Sequence, residues 1–548
     1  MSSVLFVSCF AAIGGIMFGL DQGNWSGAIQ KDGFIETFCG TNPQCTAEKL
    51  PDAYVQFLSL GSSLVQLGAA VGALFVGPQI AAKAGRRETM FGGSVVTIVG
   101  VIPMALITLK PIFLLTRFVA GMGIGMVTYA LPMFLSEVSP PEMRGMLGAS
   151  MQLTMVFGML MASLLNCFDV VTYSISFLLP LVPSTVMVLG IFFFPPSPRF
   201  MLVKWQLRGE PQIGVDKARA SLQWLRGSEE AAELELASLR EAMRGDTDEG
   251  PWSKLWKDRS IRRRVIIANM LQLLQQFTGV NAIFSYGPKI FLDAGVPINS
   301  LVASLIVNIT NLVFTFVMMV VIDQWGRRAL LLIGAMGMAV FISGAGVFSL
   351  LITVLDVDAG TQAVFGWGVL VCVCFYIAFF AIGWGGVPWV YPSEIFPMDV
   401  KEKALSTSTF TQWAANFVIA YIVPQQENIL KTYGTFFFYA VCLVFCVLYT
   451  SVCVPETKGV NLDDIGKLFG EEVSSQHVQL FNSGMRSAAC GLTSKHASSM
   501  PNFALMGAHT EMDEPTRRGT APARAWMGGN VRPTARLSMS RVGSVALI

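Results

Sequence analysis

LVASLIVNITNLVFTFVMMVVIDQWGRRALLLIGAMGMAVFISGAGVFSL, residues 301–350, decides how this chain folds. From Leu301 to Ile322 no residue carries a charge, and none does from Ala329 to Leu350. Between the two runs lies a short polar turn, Asp323 to Arg328. A helix rises about 1.5 Å per residue, so about twenty such residues cross a hydrocarbon core of about 30 Å. The stretch therefore reads as two membrane spans joined by a charged turn. Working outward, the same alternation gives spans at 4–28, 55–81, 89–109, 112–135, 146–167, 172–194, 265–292, 300–322, 329–353, 365–392, 404–424 and 434–454. Composition agrees: of 548 residues, 53% are apolar and 14% charged, against roughly 45–50% and about 25% in soluble domains. The expected fold class is an all-α membrane protein. The first span has no basic leader and continues through Gly19, Asp21 and Gly23, which reads as a retained helix rather than a signal peptide.

Lys and Arg in the loops set the orientation, because cytoplasmic loops carry the excess. One side holds Lys31, Lys49, Lys110, Lys289 and Lys431; the other holds Lys83, Arg86, Arg87, Arg144, Arg327, Arg328, Lys401 and Lys403, before the basic 195–264 connection is added. Both termini are thus expected in the cytoplasm. A net charge of +2 gives no case for nucleic acid. The ten cysteines form no metal-spaced pair, and only Cys39 and Cys45, in one outward loop, could form a disulfide. The three histidines, His477, His496 and His509, all lie in the tail. No metal site, cofactor or nucleophile–base set is expected, and so no enzyme.

The chain repeats itself. Gly85-Arg86-Arg87 is echoed by Gly326-Arg327-Arg328, Ser136-Glu137 with Arg144 by Ser393-Glu394 with Lys401, and Pro195-Pro196-Ser197 by Pro455-Glu456-Thr457. Three echoes in one order describe two six-helix halves, 1–194 and 265–454. They are joined by a helical linker, 195–264, and followed by a segment, 455–470. Within the linker, Leu222, Leu225, Leu234 and Leu239 set among polar residues predict an amphipathic helix pair over 214–244. Residues 471–548, rich in Ser, Arg, Gly and Pro, read as disordered.

Together these motifs resemble the sugar porter family of the major facilitator superfamily: FGLDQG at 18–23, GRR at 85–87, the run from Arg117 to Gly125, SEVSPPEMRG at 136–145, PPSPRF at 195–200, QQFTGVN at 275–281, GRR at 326–328, VPW at 387–389, SEIFP at 393–397 and PETKG at 455–459. The resemblance covers about residues 1–470 and implies that superfamily's fold of twelve transmembrane helices in two halves. It also implies gating charges on the cytoplasmic side at Arg86, Arg87, Glu137, Arg144, Arg199, Asp323, Arg327, Arg328, Glu394, Lys401 and Glu456. Three positions depart from the family pattern: Ala82 stands where an Asp is usual, Pro196 where a Glu is, and Ser285 where the first of two aromatics is.

A sugar carries hydroxyls and no charge, so its site needs side chains that both donate and accept, with an aromatic face for the ring. Gln272, Gln275 and Gln276 fall at i, i+3 and i+4 on one helix face, and Gly279 allows a break after which Asn281 turns toward the same cavity. Other spans add Gln152, Asn308, Trp389, Gln412 and Asn416. The resemblance implies that Gln152, Gln275, Gln276, Asn281, Asn308, Trp389 and Gln412 hold a hexose or similar monosaccharide. Asp21 is a carboxylate inside a span and needs a partner or a proton, and Arg117 is the strong cation in that half. The resemblance implies that the two form a proton switch. The reading is a monomeric, multi-pass plasma-membrane carrier whose partners are a sugar, protons and the bilayer. A facilitator without coupling and a non-transporting sugar sensor remain as rivals.

Overall fold

The computed structural model describes residues 2–40, 51–139, 144–244, 251–355, 358–397, 400–460 and 465–469. The tail beyond 470 and Cys45 lie outside them. Cys39 is disulfide-bonded.

Among the described residues the chain is helical throughout, with no strand. The first half comprises α1 (Ser2–Ala28), a short α2 (Asp32–Phe38), and α3 (Asp52–Val71), which runs through a π-helical turn into α4 (Gly77–Lys83). It continues with α5 (Arg86–Leu106), α6 (Lys110–Val138), α7 (Arg144–Asn166), α8 (Tyr173–Leu178) and α9 (Leu181–Gly190). The linker holds α10 (Pro198–Leu207), α11 (Pro211–Arg226), α12 (Glu229–Arg244) and α13 (Lys254–Lys257). The second half comprises α14 (Arg259–Phe277), α15 (Val280–Asp293), α16 (Ser300–Trp325), α17 (Arg327–Val354), α18 (Ala359–Phe379), α19 (Val387–Ile395) and α20 (Lys401–Cys453). A final short helix, α21, spans Ile465–Leu468.

Nine helices among the described residues are long and apolar enough to cross a membrane. This number and the twelve expected spans agree once three features are resolved. α20 merges the last two spans across a kink at Lys431, whose φ of 56° and ψ of 174° are not helical. α7 contributes a shorter apolar stretch, Ser150–Asn166. The seventh span is broken into α14 and α15 at Gly279, whose φ of +87° is left-handed. A Cβ built there would lie 2.4 Å from the Tyr439 ring, so a side chain has neither the backbone geometry nor the room.

Local chemistry sets where helices begin. Asp258 caps α14 by accepting from Ser260 N at 2.8 Å and Ile261 N at 3.1 Å, and Asn299 caps α16 through Leu301 N at 2.9 Å. Asp358 caps α18, and its bonds from Thr361 hold its carboxyl below the usual carboxylate range. Polarity is inverted relative to a soluble globule. Leu106, Val182, Val340 and Val452 are exposed on the outside, whereas Asp21, Arg117, Gln276 and Asn311 are buried within.

The linker pair forms as expected over α11 and α12, with its own small core of Val215, Ala218, Leu222, Ala232 and Leu236. Leu222 and Leu225 are buried and Leu239 packs against that core, but Leu234 points outward. Ala232, Leu236 and Leu239 form the inward stripe, and a residue two positions from Ala232 falls on the opposite side of the helix. Arg226 binds Glu235 through two bonds of 2.6 and 2.7 Å and donates to Val138 O at 3.1 Å, tying the pair to the end of α6.

Candidate functional site

The breaks in the second half create the site. The π-helical turn Phe380–Gly385 between α18 and α19 loosens its backbone carbonyls from the helical ladder. Gln275 Nε2 donates to Trp384 O at 2.6 Å, and Gln272 Nε2 to Pro388 O at 2.8 Å. Gln412 of α20 then donates to Gln275 Oε1 at 2.6 Å. Of the three glutamines read as one face, Gln272 and Gln275 thus hold the α18–α19 break. Gln276 turns to the other break and accepts from Asn281 Nδ2 at 2.5 Å. Asn281 Oδ1 in turn accepts from Gln22 Nε2 of α1 at 2.8 Å, which joins the two halves.

The remaining expected residues lie on the helices that carry these breaks or face them. Asn308 donates to Ser163 Oγ of α7 at 2.8 Å, a second bond between the halves. Gln152 of α7 lies against Gly385 and Gly386. Trp389 is half-buried and packs on the core, and the buried Trp413 donates to Thr128 Oγ1 at 3.3 Å with Phe18 edge-on to its ring. A small pocket lies between Ser26 of α1, Ile283, Phe284 and Phe291 of α15, and Ser304 and Asn308 of α16.

Four polar atoms of the expected set have no hydrogen-bond partner: the amide nitrogens of Gln152 and Gln276 and the amide oxygens of Gln412 and Asn308. Buried polar atoms are nearly always bonded, so such a cluster calls for an explanation. Two neutral donors and two neutral acceptors suit hydroxyl groups, which both give and take, and suit an ion poorly. Asn311, which the sequence reading passed over, belongs with them. It lies three residues after Asn308 on the same face of α16, is fully buried, and neither end of its amide is bonded. Gln22 was missed too, although its motif neighbour Asp21 was not.

Beside this cluster the structure brings Asp21 and Arg117 together. Arg117 Nη1 donates to Asp21 Oδ1 at 2.7 Å and Nε to Gly61 O at 2.8 Å, while the guanidinium lies 4.8 Å from the Trp25 ring centroid. The planar fork so engages α1 and α3 at once, which an ammonium could not do in the same way. Asp21 is 4% and Arg117 1% exposed, so the pair is shielded from bulk screening.

The charges on the linker side divide into two kinds. Arg327 binds Glu394 at 2.9 Å and Asp323 at 3.0 Å, and Glu456 accepts from the backbone N–H groups of Arg327 and Arg328 at 2.8 and 3.0 Å. All of these stay within the second half and the segment that follows it. Gly326 is required there: its φ is +89°, and a Cβ would sit 2.6 Å from the Glu456 carboxylate. Arg328 donates to Ser451 O, and Arg87 to Phe194 O and Glu88, again within one half. Arg86 makes a link between halves, contacting Glu137 at 3.2 Å on its own side and pairing with Glu402 of α20. Glu402 was not foreseen; its neighbour Lys401 was. Arg144 opens α7, and Arg199 lies in the first turn of α10.

A family profile described as "Sugar (and other) transporter" matches residues 7–469. The chain belongs to the sugar porter family of the major facilitator superfamily. Among its relatives, the transporter is 30% identical over 499 residues to the sugar transport protein MST7 of Oryza sativa subsp. japonica, covering 86% of this chain and 92% of that one. It is 31% identical over 468 residues to the galactose-proton symporter of Escherichia coli strain K12, covering 84% and 94%. Its fold matches a proton:xylose symporter solved with 6-bromo-6-deoxy-D-glucose at a TM-score of 0.70 and 24% identity, covering 85% of this chain and 99% of the other. The chain is therefore a twelve-helix sugar transporter of the membrane and not an enzyme.

Proposed function

We propose that the transporter moves a monosaccharide, a hexose foremost, by alternating access, and that each turnover is coupled to a proton through Asp21 and Arg117. The observation that carries this reading is one step of chain. Asp21 holds Arg117 at 2.7 Å, and the next residue, Gln22, donates to Asn281 in the amide cluster at 2.8 Å. Protonating Asp21 removes one charge of the pair, while Arg117 keeps Gly61 O and the Trp25 face. α1 is then free to shift, and Gln22 shifts with it at the sugar site. The names of the relatives, a galactose-proton symporter among them, support both cargo class and coupling. The excess of Lys and Arg on the linker side supports cytoplasmic termini, and a monomer in the plasma membrane completes the reading.

Uptake of a labelled sugar panel into transporter-deficient cells, at two external pH values, identifies the cargo and its dependence on protons. In vesicles, Asp21→Asn mimics the protonated acid, so uphill accumulation is lost while passive counterflow survives. A variant that still concentrates sugar under a proton gradient makes the pair structural and the carrier's coupling a property of other groups.

A further inference from the structure

Glu427 is a buried acid that the coupling mechanism above does not use. It lies in α20 between Pro424 and the kink at Lys431, is 7% exposed, and neither of its carboxylate oxygens accepts a hydrogen bond. Asp21, the other deeply buried acid of the core, is held by an arginine; Glu427 has no such partner. The titratable and charged groups facing it are Lys289 and Asp293 near the end of α15, Tyr286 of α15, and Tyr439 beyond the kink of its own helix. Lys289 acts through space only, without a hydrogen bond.

Its position is where the side opposite the linker closes. Tyr286 of α15 donates to Ala420 O of α20 at 3.1 Å, and Gln425 of α20 and Ser59 of α3 hydrogen-bond at 3.3 Å. The Tyr439 ring covers the Gly279 break from which α15 starts. A sugar entering from this side must part α15 from α20 and α3, and that movement brings water to Glu427. An unpaired carboxylate is costly to bury, and a hydrated one is not.

We propose that Glu427 is a second proton-binding site, which holds a proton while this side is closed and gives it up when α15 moves away. On opening, the carboxyl O–H bond breaks and the proton passes to water on that side; on closing it is taken back from there. The proposal rests on the alternating-access reading but not on coupling through Asp21. The closed form binds one proton more than the open form, so acid favours closure and rising pH favours opening. One linked proton changes the open-to-closed ratio by up to about tenfold per pH unit.

The test uses the full chain in lipid nanodiscs with spin labels on Gln56 of α3 and Ile429 of α20, both exposed, in a background without other reactive cysteines. Distances are measured with and without sugar between about pH 6 and about pH 8. The parent is expected to open as pH rises, and Glu427→Gln to lose that response while binding sugar with the parent's affinity. Asp21→Asn is expected to keep it. Infrared spectra supply a second readout: a buried carboxylic C=O band present near neutral pH in the parent and in Asp21→Asn, and missing from Glu427→Gln. A label pair that answers sugar but gives Glu427→Gln the parent's pH response overturns the proposal alone, as does a C=O band unchanged in that variant. A pair that answers neither sugar nor pH overturns alternating access with it.

Discussion

At the scale of single residues, the proposed sugar site is a set of buried amides left unmet. Gln276→Ala removes the free nitrogen and the acceptor of Asn281, and Asn281→Ala removes both of its links. A neutral hydrogen bond is worth about 0.5–1.5 kcal/mol, so each variant is expected to bind sugar about 2- to 10-fold more weakly while remaining folded. Asn311→Ala is expected to act alike, because both ends of its amide are available; equilibrium binding to purified protein checks all three. Unchanged affinity in Asn311→Ala would make that residue part of the packing between helices. Asp21 and Arg117 were legible as a pair because an acid within a span must find a cation and the half offers one. Asn311 was not legible. It shares a helix face with Asn308, and which amide is already occupied depends on Ser163, 145 residues away in sequence.

At the scale of elements, the two broken spans and the charged turns play different parts. The echo of Gly-Arg-Arg could be read from the chain because both turns need a glycine at positive φ, Gly85 at 122° and Gly326 at 89°, just ahead of the paired arginines. Which acid crosses between halves could not. Lys401 was legible as a gating charge and its neighbour Glu402 was not, because a rotation of about 100° per residue decides which side chain of the helix start faces Arg86. Glu402→Lys is therefore expected to turn an attraction between halves into repulsion and to shift the carrier toward forms open on the linker side, seen by accessibility labelling there. Glu394→Lys is expected to do something else. It leaves Arg327 facing a like charge inside one half, and breaking a buried pair costs on the order of 3–5 kcal/mol, so lower thermal stability in detergent is the readout. If Glu394→Lys instead shifts the open forms and leaves stability alone, the division of the charges drawn from the geometry is wrong.

At the scale of the whole molecule, the halves touch on both sides of the membrane, through Arg86 and Glu402 at one end and Gln425 and Ser59 at the other. The bond from Gln22 to Asn281 lies between those closures and has a consequence for kinetics. A carrier that works in one net direction must make half of each journey without cargo, and an empty site full of unmet amides would resist being sealed. With Asn281 at the sugar site as proposed, Gln22 would supply it with the partner that a passenger otherwise provides, and the vacant molecule could close and travel back. The same side chain would then compete with every arriving sugar, setting a ceiling on affinity and keeping release quick. Gln22→Ala should separate the two journeys: exchange of sugar for sugar continues, net uptake slows several-fold, and the ratio of exchange to net flux in preloaded vesicles rises. An unaltered ratio would leave the homeward step to some other contact.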